Sequence, residues 1–232
     1  MTNEILNNVK PKWSSMWKDI FKKYNLNEKL ENLYCENIVF PEENKILETF
    51  KYFDLDETKL VFLGQDPYIN SFNINGNDIP QAMGMAFSVP NGIKPPPSLK
   101  NIYKKIKAEY ESFDIPEHGN LTRWVKDEKI LLLNTALTVN KGESNSHQKI
   151  WNDIINEVIE YISDNSENVI FLLLGNNAKN KIKYIEEDKH IVVTGIHPSP
   201  LSASRGFFDK DIFKKINEEL LKLGKSEIDW SI

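Results

Sequence analysis

The 232-residue sequence has little of what staples a chain together or gives it one sign of charge. Its one cysteine, Cys35, cannot form an internal disulfide, and four histidines beside it leave little material for a structural zinc site. A reducing compartment is the expectation. Ten glycines, eleven prolines and no long acidic or basic block exclude collagen-like, linker-dominated and disordered classes. The longest apolar run, Val169 to Leu174, is far too short to cross a bilayer, and the opening MTNEILNNVKPK lacks the apolar core of a signal peptide. A soluble intracellular protein is expected. Arginine occurs only at Arg123 and Arg205, which disfavours bidentate reading of guanine edges, so any contact with nucleic acid should tolerate sequence. A net charge of −5 argues mildly against a strong non-specific nucleic-acid binder. GxxxxGK[ST], GxGxxG after a strand, HExxH and GxSxG are all missing, so nucleotide hydrolysis, dinucleotide redox chemistry and the serine-hydrolase elbow lose support.

What is present reads as one domain spanning residues 1–232, without repeats or a Gly/Ser-rich linker. Trp13, Trp17, Ile20, Phe21 and Tyr24 recur at helical spacing, predicting an amphipathic helix near residues 13–24 with its aromatic face in the core. A second helix is expected after Pro95-Pro96-Pro97, with Ser98 as N-cap and Leu99, Ile102, Tyr103, Ile106 and Tyr110 on one face. Two more carry Ile150 to Ile162 and Ile212 to Leu223. Between the helices lie four unbroken apolar runs: Leu60 to Leu63, Ile130 to Leu133, Val169 to Leu174 and Ile191 to Val193. Such strands need cover on both faces. The fold class is therefore α/β, with a central, mainly parallel four-stranded sheet flanked by helices on both faces.

Each run ends abruptly in Gly64-Gln65-Asp66, Asn134, Gly175-Asn176 or Gly195-Ile196-His197. Ligands of open α/β sheets bind beyond the carboxyl ends of the strands, so these endings should share a site. A carboxylate (Asp66) and an imidazole (His197) on opposite sides of a bound group suit charge-separating bond cleavage, and a carboxamide (Asn134) offers a donor and an acceptor to a planar heterocycle. Gln65, Tyr68 and Phe87 lie close in sequence. Singly, each residue has a plainer reading: an Asp after a strand is commonly a cap, an Asn a turn former, a His a satisfied structural residue. Ligands at metal-binding spacing do not accompany Asp66.

Gly64-Gln65-Asp66-Pro67-Tyr68, Ala86-Phe87-Ser88-Val89-Pro90, Pro96-Pro97-Ser98-Leu99, Leu132-Leu133-Asn134-Thr135 and His197-Pro198-Ser199-Pro200-Leu201-Ser202 stand in the order seen in the uracil-DNA glycosylases of the main UNG type (family 1). The chain resembles that family from the Trp13/Trp17 helix to Ile228-Asp229-Trp230. The resemblance implies a cofactor-free and metal-free DNA repair enzyme that flips deoxyuridine out of DNA and hydrolyses its N-glycosidic bond. It implies that Asp66 orients the attacking water and stabilises a cationic sugar, and that His197 hydrogen-bonds uracil O2 as charge develops. By the same resemblance Asn134 reads O4 and N3–H, Phe87 stacks on the base, Tyr68 excludes a thymine methyl, and Gln65 completes the substrate pocket. DNA contacts fall to Pro97, Ser98, Gly175, Asn176, Ser199, Ser202 and Arg205, with Leu201 as a wedge entering the vacated stack. Lys94, Lys100, Arg205 and Lys210 can make this face positive despite the acidic total. His147 and Trp151 are expected as supporting or core residues. The implied partners are single- or double-stranded uracil-containing DNA and a DNA-mimicking inhibitor protein. The implied protein is a monomer without a membrane, cytoplasmic in a bacterium, or nuclear or in a viral factory otherwise.

The chain departs from the family in four ways. Ile69 stands where a His usually follows Tyr68, and Met83 replaces a second His. Asn176 replaces the small hydroxyl residue common after Gly175, weakening that phosphate contact. Residues Ile69 to Met85 number seventeen where the family usually has nine. The longer loop is either a tolerated surface insertion or a lid or docking element, and Phe72, Ile74 and Ile79 are unusual for a purely solvated loop. Two alternative functions follow: a catalytically weak relative kept as a DNA-binding or polymerase-processivity module, and an enzyme of the wider superfamily acting on other damaged bases.

Overall fold

The computed structural model describes residues 2–74 and 76–232; of Asn3 only the backbone is described. Helices α1 (Thr2–Ile5), α2 (Pro11–Lys23) and α3 (Leu26–Glu36) lead into strand β1 (Val39–Phe40). After three 3-10 turns come β2 (Leu60–Gly64), the pair β3 (Ser71–Ile74) and β4 (Asn77–Pro80), then α4 (Pro97–Glu109) and α5 (Thr122–Lys126). The chain continues through β5 (Ile130–Asn134), β6 (Val139–Asn140), α6 (Gln148–Asn165), β7 (Ile170–Leu174) and α7 (Asn176–Lys179). It closes with β8 (Ile191–Gly195), α8 (Pro200–Ala203) and α9 (Phe213–Lys222).

The four apolar runs form one parallel sheet in the order β5-β2-β7-β8. Every residue of β2, β5 and β7 is buried, because helices cover both faces. The chain crosses from β2 to β5 in one direction and from β5 past β2 to β7 in the other. Right-handed crossovers therefore place α4 and α6 on opposite faces. The β7-to-β8 crossover runs the same way as its predecessor, and its 3-10 turn at Ile182–Tyr184 packs against α6 accordingly. Strand β5 is an edge, yet its backbone is not bare: Thr49 Oγ1 accepts the Leu132 N–H and the Ala86 N–H donates to the Leu132 carbonyl.

The tryptophan helix forms as its periodicity predicts. Trp13, Met16, Trp17, Ile20 and Phe21 are buried, and both indoles meet Phe50 edge to face at 5.2 and 5.4 Å. Its start is earlier than residue 13, at Pro11, a residue pre-shaped for the first helical position. The same preference corrects the start of α4. Pro96 flanks the helix and Pro97 opens it, so Ser98 lies in the first turn and is not the N-cap.

The lengthened segment after Tyr68 holds a β-hairpin. Phe72 pairs with Ile79 and Asn73 with Asp78, across a connection whose sequence is Asn75-Gly76. Lys141 pairs with Asp78 at 2.9 Å, and the hairpin leaves Phe72 about half exposed.

Candidate active site

Parallel pairing brings the strand ends level. Gly64 lies opposite Asn134 and Leu174 opposite Gly195, so the segments that follow them converge on one cleft of about 510 Å³. The cleft collects Gln65, Asp66, Tyr68, Phe87, Ser98, Asn134, Gly175, Asn176, His197, Ser199, Leu201 and Ser202. Of the residues expected from sequence, Pro97 and Arg205 do not line it; both are exposed nearby in sequence. Leu201 is 85% exposed, as a residue offered to a partner would be and a core leucine would not.

Asp66 is held from the loop just before His147. Ser144 Oγ–H donates to Asp66 Oδ2 at 2.8 Å and the Asn145 backbone N–H donates to the same oxygen at 2.7 Å. Gln65 Nε2 in turn donates to Asn145 Oδ1 at 2.6 Å. Ile69 makes no such contact. It packs with Phe40, Ala82 and Val139, and its carbonyl accepts the Gly142 N–H at the root of the Ser144 loop. The only sequence signal for Ser144 and Asn145 was their place just before His147.

His147 and Trp151 support that loop. Trp151 Nε1–H donates to Thr138 Oγ1 at 2.7 Å, and Thr138 Oγ1 contacts His147 Nδ1 at 2.8 Å. His147 Nε2 contacts Asn140 Oδ1 at 2.9 Å, so Nε2 carries a proton, and in the neutral ring Nδ1 accepts from the Thr138 hydroxyl. That tautomer is neutral, and burial holds the His147 pKa below its ordinary value, against a smaller opposing pull from Glu143.

His197 is fixed by the same logic. The Ser199 N–H donates to its Nδ1 at 3.1 Å, so the neutral ring carries its proton on Nε2, for which no described residue is a partner. Burial lowers its pKa, and the Asp66 charge opposes that shift. Gly175 at φ +86° lies against the ring: a Cβ there would come within 2.8 Å of His197 Cβ.

The flat wall of the cleft is Phe87, whose ring lies 4.6 Å from that of Phe62. Its φ of +65° is rare for an aromatic residue, a conformation costing about 1–3 kcal/mol that the surroundings must enforce. Tyr68 O–H contributes by donating to the Phe87 carbonyl at 3.1 Å, and burial pushes the phenol pKa well up, so it stays protonated. Asn134 is 8% exposed and its carboxamide hydrogen-bonds to no other described residue. The side chain lines the open cleft, so its donor and acceptor are available to a ligand. Among the described residues no group of three or more His, Cys, Asp or Glu is arranged to hold a metal ion.

The strand-end cleft combines an aromatic wall, a carboxamide without a described partner and a carboxylate whose charge reaches an imidazole, features suited to holding a planar heterocycle. The uracil DNA glycosylase superfamily matches residues 50–221, and the chain belongs to it. The uracil-DNA glycosylase of Aliarcobacter butzleri is 45% identical over 92% of this chain and 99% of its own length. That of Bacillus cytotoxicus is 41% identical over 97% of both. The crystal structure of mimivirus uracil-DNA glycosylase superposes with a TM-score of 0.85 at 31% identity, covering 94% of this chain and 87% of the other. A mimivirus UNG variant solved in complex with UGI superposes with a TM-score of 0.89, also at 31% identity, over 96% and 89%.

Proposed function

We propose that this chain is a DNA repair hydrolase that releases uracil from DNA and leaves an abasic site, and that the cleft is where it does so. The observation that carries the reading is the unpartnered Asn134 carboxamide, held nearly buried beside the Phe87 ring. Its NH2 and C=O match the O4 acceptor and N3–H donor of uracil, a pattern cytosine reverses at both positions. Phe87 stacks on the base, and Tyr68 occupies the space that a thymine methyl would need. The target nucleotide reaches the cleft by flipping out of the stack.

In the reaction the C1′–N1 bond breaks, its electron pair leaves with the base, and water adds to C1′, its hydroxyl staying on the sugar and its other proton ending on the uracil anion. Asp66 orients that water and offsets the positive charge on the sugar. The Nε2–H of neutral His197 donates to uracil O2 as negative charge gathers there, an interaction stronger in the transition state than in the ground state. Gln65 completes the pocket through Asn145. Pro97, Ser98, Gly175, Asn176, Ser199, Ser202 and Arg205 hold the DNA backbone, while Leu201 fills the gap left by the flipped nucleotide. The working form is a monomer on single- or double-stranded DNA, cytoplasmic in a bacterial host. A DNA-mimicking inhibitor protein would compete for the same face.

The test is base release from uracil-containing oligonucleotides, single- and double-stranded, by the purified protein. Free uracil with an alkali-labile abasic site, and none from thymine controls, is expected. DNA binding without base release would mean a binding module instead.

A further inference from the structure

Helix α4 carries a polar stripe that does not belong to the cleft. Asn101, Lys105 and Glu109 stand four residues apart and so share one face. Asn101 Nδ2 donates to the Pro198 carbonyl at 2.8 Å, and Lys105 Nζ donates to the Phe208 carbonyl at 3.1 Å. Glu109 accepts the Ile212 N–H at 3.0 Å and the Lys214 N–H at 2.7 Å, at the start of α9. Lys105 and Glu109 also pair at 3.2 Å with side chains only 2% and 1% exposed. All these backbone partners bracket the segment that presents Leu201, and beneath it Ala203 and Phe207 are buried. A buried ion pair roughly breaks even in stability against apolar side chains of the same volume, so what distinguishes this one is where its remaining hydrogen bonds go. The first turn of the same helix places Ser98 in the cleft. One rigid element thus ties a wall of the cleft to the Leu201 segment.

We propose that Asn101, Lys105 and Glu109 are positioning residues that set the height at which Leu201 meets a DNA duplex. The proposal rests on the uracil-excision reading and adds to it the device by which duplex DNA is engaged. Single-strand substrates have no stack to fill and do not need that height.

The test compares single-turnover uracil release from duplex and single-stranded DNA by the unaltered protein, Asn101→Ala and Lys105→Met. 2-Aminopurine fluorescence beside the deoxyuridine reports flipping. Losing one anchoring hydrogen bond should lower the duplex rate and the flipping signal roughly two- to tenfold for Asn101→Ala. Lys105→Met should lose at least as much, since it removes both the bond to the Phe208 carbonyl and the pair with Glu109, while Glu109 keeps its two backbone donors. Release from single strands should stay within about twofold. In a Leu201→Ala background Asn101→Ala should add nothing, because both act through one side chain. Equal losses on both substrates, additive losses with Leu201→Ala, or no duplex loss would overturn the proposal. Should Lys105→Met not fold, Asn101→Ala decides alone, its amide being only partly buried. If the unaltered protein releases no uracil from either substrate, the functional reading fails, and the flipping signal still decides the positioning claim.

Discussion

Gly64 and Asn134 face each other at the ends of adjacent parallel strands, and a Cβ on Gly64 would collide with Asn134 Oδ1 and come within 2.9 Å of Ala86 Cβ. The glycine is there for space, since its φ is ordinary. Gly64→Ala should displace the carboxamide and lower single-turnover uracil release by roughly 10²-fold, the scale of an ångström's misplacement. Unchanged release by a folded variant would remove Asn134 from base recognition.

Ser144→Ala removes one of two donors to the Asp66 carboxylate while the Asn145 N–H remains. Because the hydroxyl is exposed, the loss should be modest, roughly two- to tenfold in single-turnover rate. DNA affinity should hold, and Ser144→Thr should recover most of the rate. A fall in affinity with an unchanged rate would contradict this role.

The His197 pKa should titrate below the ordinary 6.5 when followed by NMR, since burial outweighs the Asp66 charge. Asp66→Asn removes that opposing charge and should move the midpoint lower still; an upward move would contradict the assignment. His147 is likewise lowered by burial. An unfolded chain binds protons on both rings near pH 6.5 while the folded one does not, so their contribution to stability is present above 6.5 and is lost as pH falls toward the folded values. Melting temperature should fall as pH drops from 7 toward 5.

Tyr68→Ala should admit some thymine excision by opening space for the methyl, and Asn134→Asp should relax discrimination against cytosine. Analysis of released bases checks both. An unchanged base profile in both variants would count against the pocket.

The sheet was legible because β2, β5 and β7 are buried on both faces, which makes a continuous apolar run the only sequence that fits. The cleft followed from where those runs stop. Less was visible where partners lie far apart in sequence. Nothing local in Ser144 tells of Asp66, 78 residues away, and nothing in Asn101 tells of Pro198. The hairpin after Tyr68 is hard to see in the sequence although Asn75-Gly76 suits a two-residue connection, because Phe72-Asn73-Ile74 is too short for alternation to stand out. Three consecutive prolines leave the opening residue of α4 ambiguous in sequence, so Ser98 resembles a cap although Pro97 opens the helix.

The most direct measurement is the single-turnover rate of uracil release by Asp66→Asn, taken together with its affinity for uracil-containing DNA. Hydrolysis centred on this carboxylate requires the rate to fall by roughly 10²–10⁴-fold while affinity stays within a few-fold. A folded Asp66→Asn variant that cleaves at nearly the unaltered rate would contradict it.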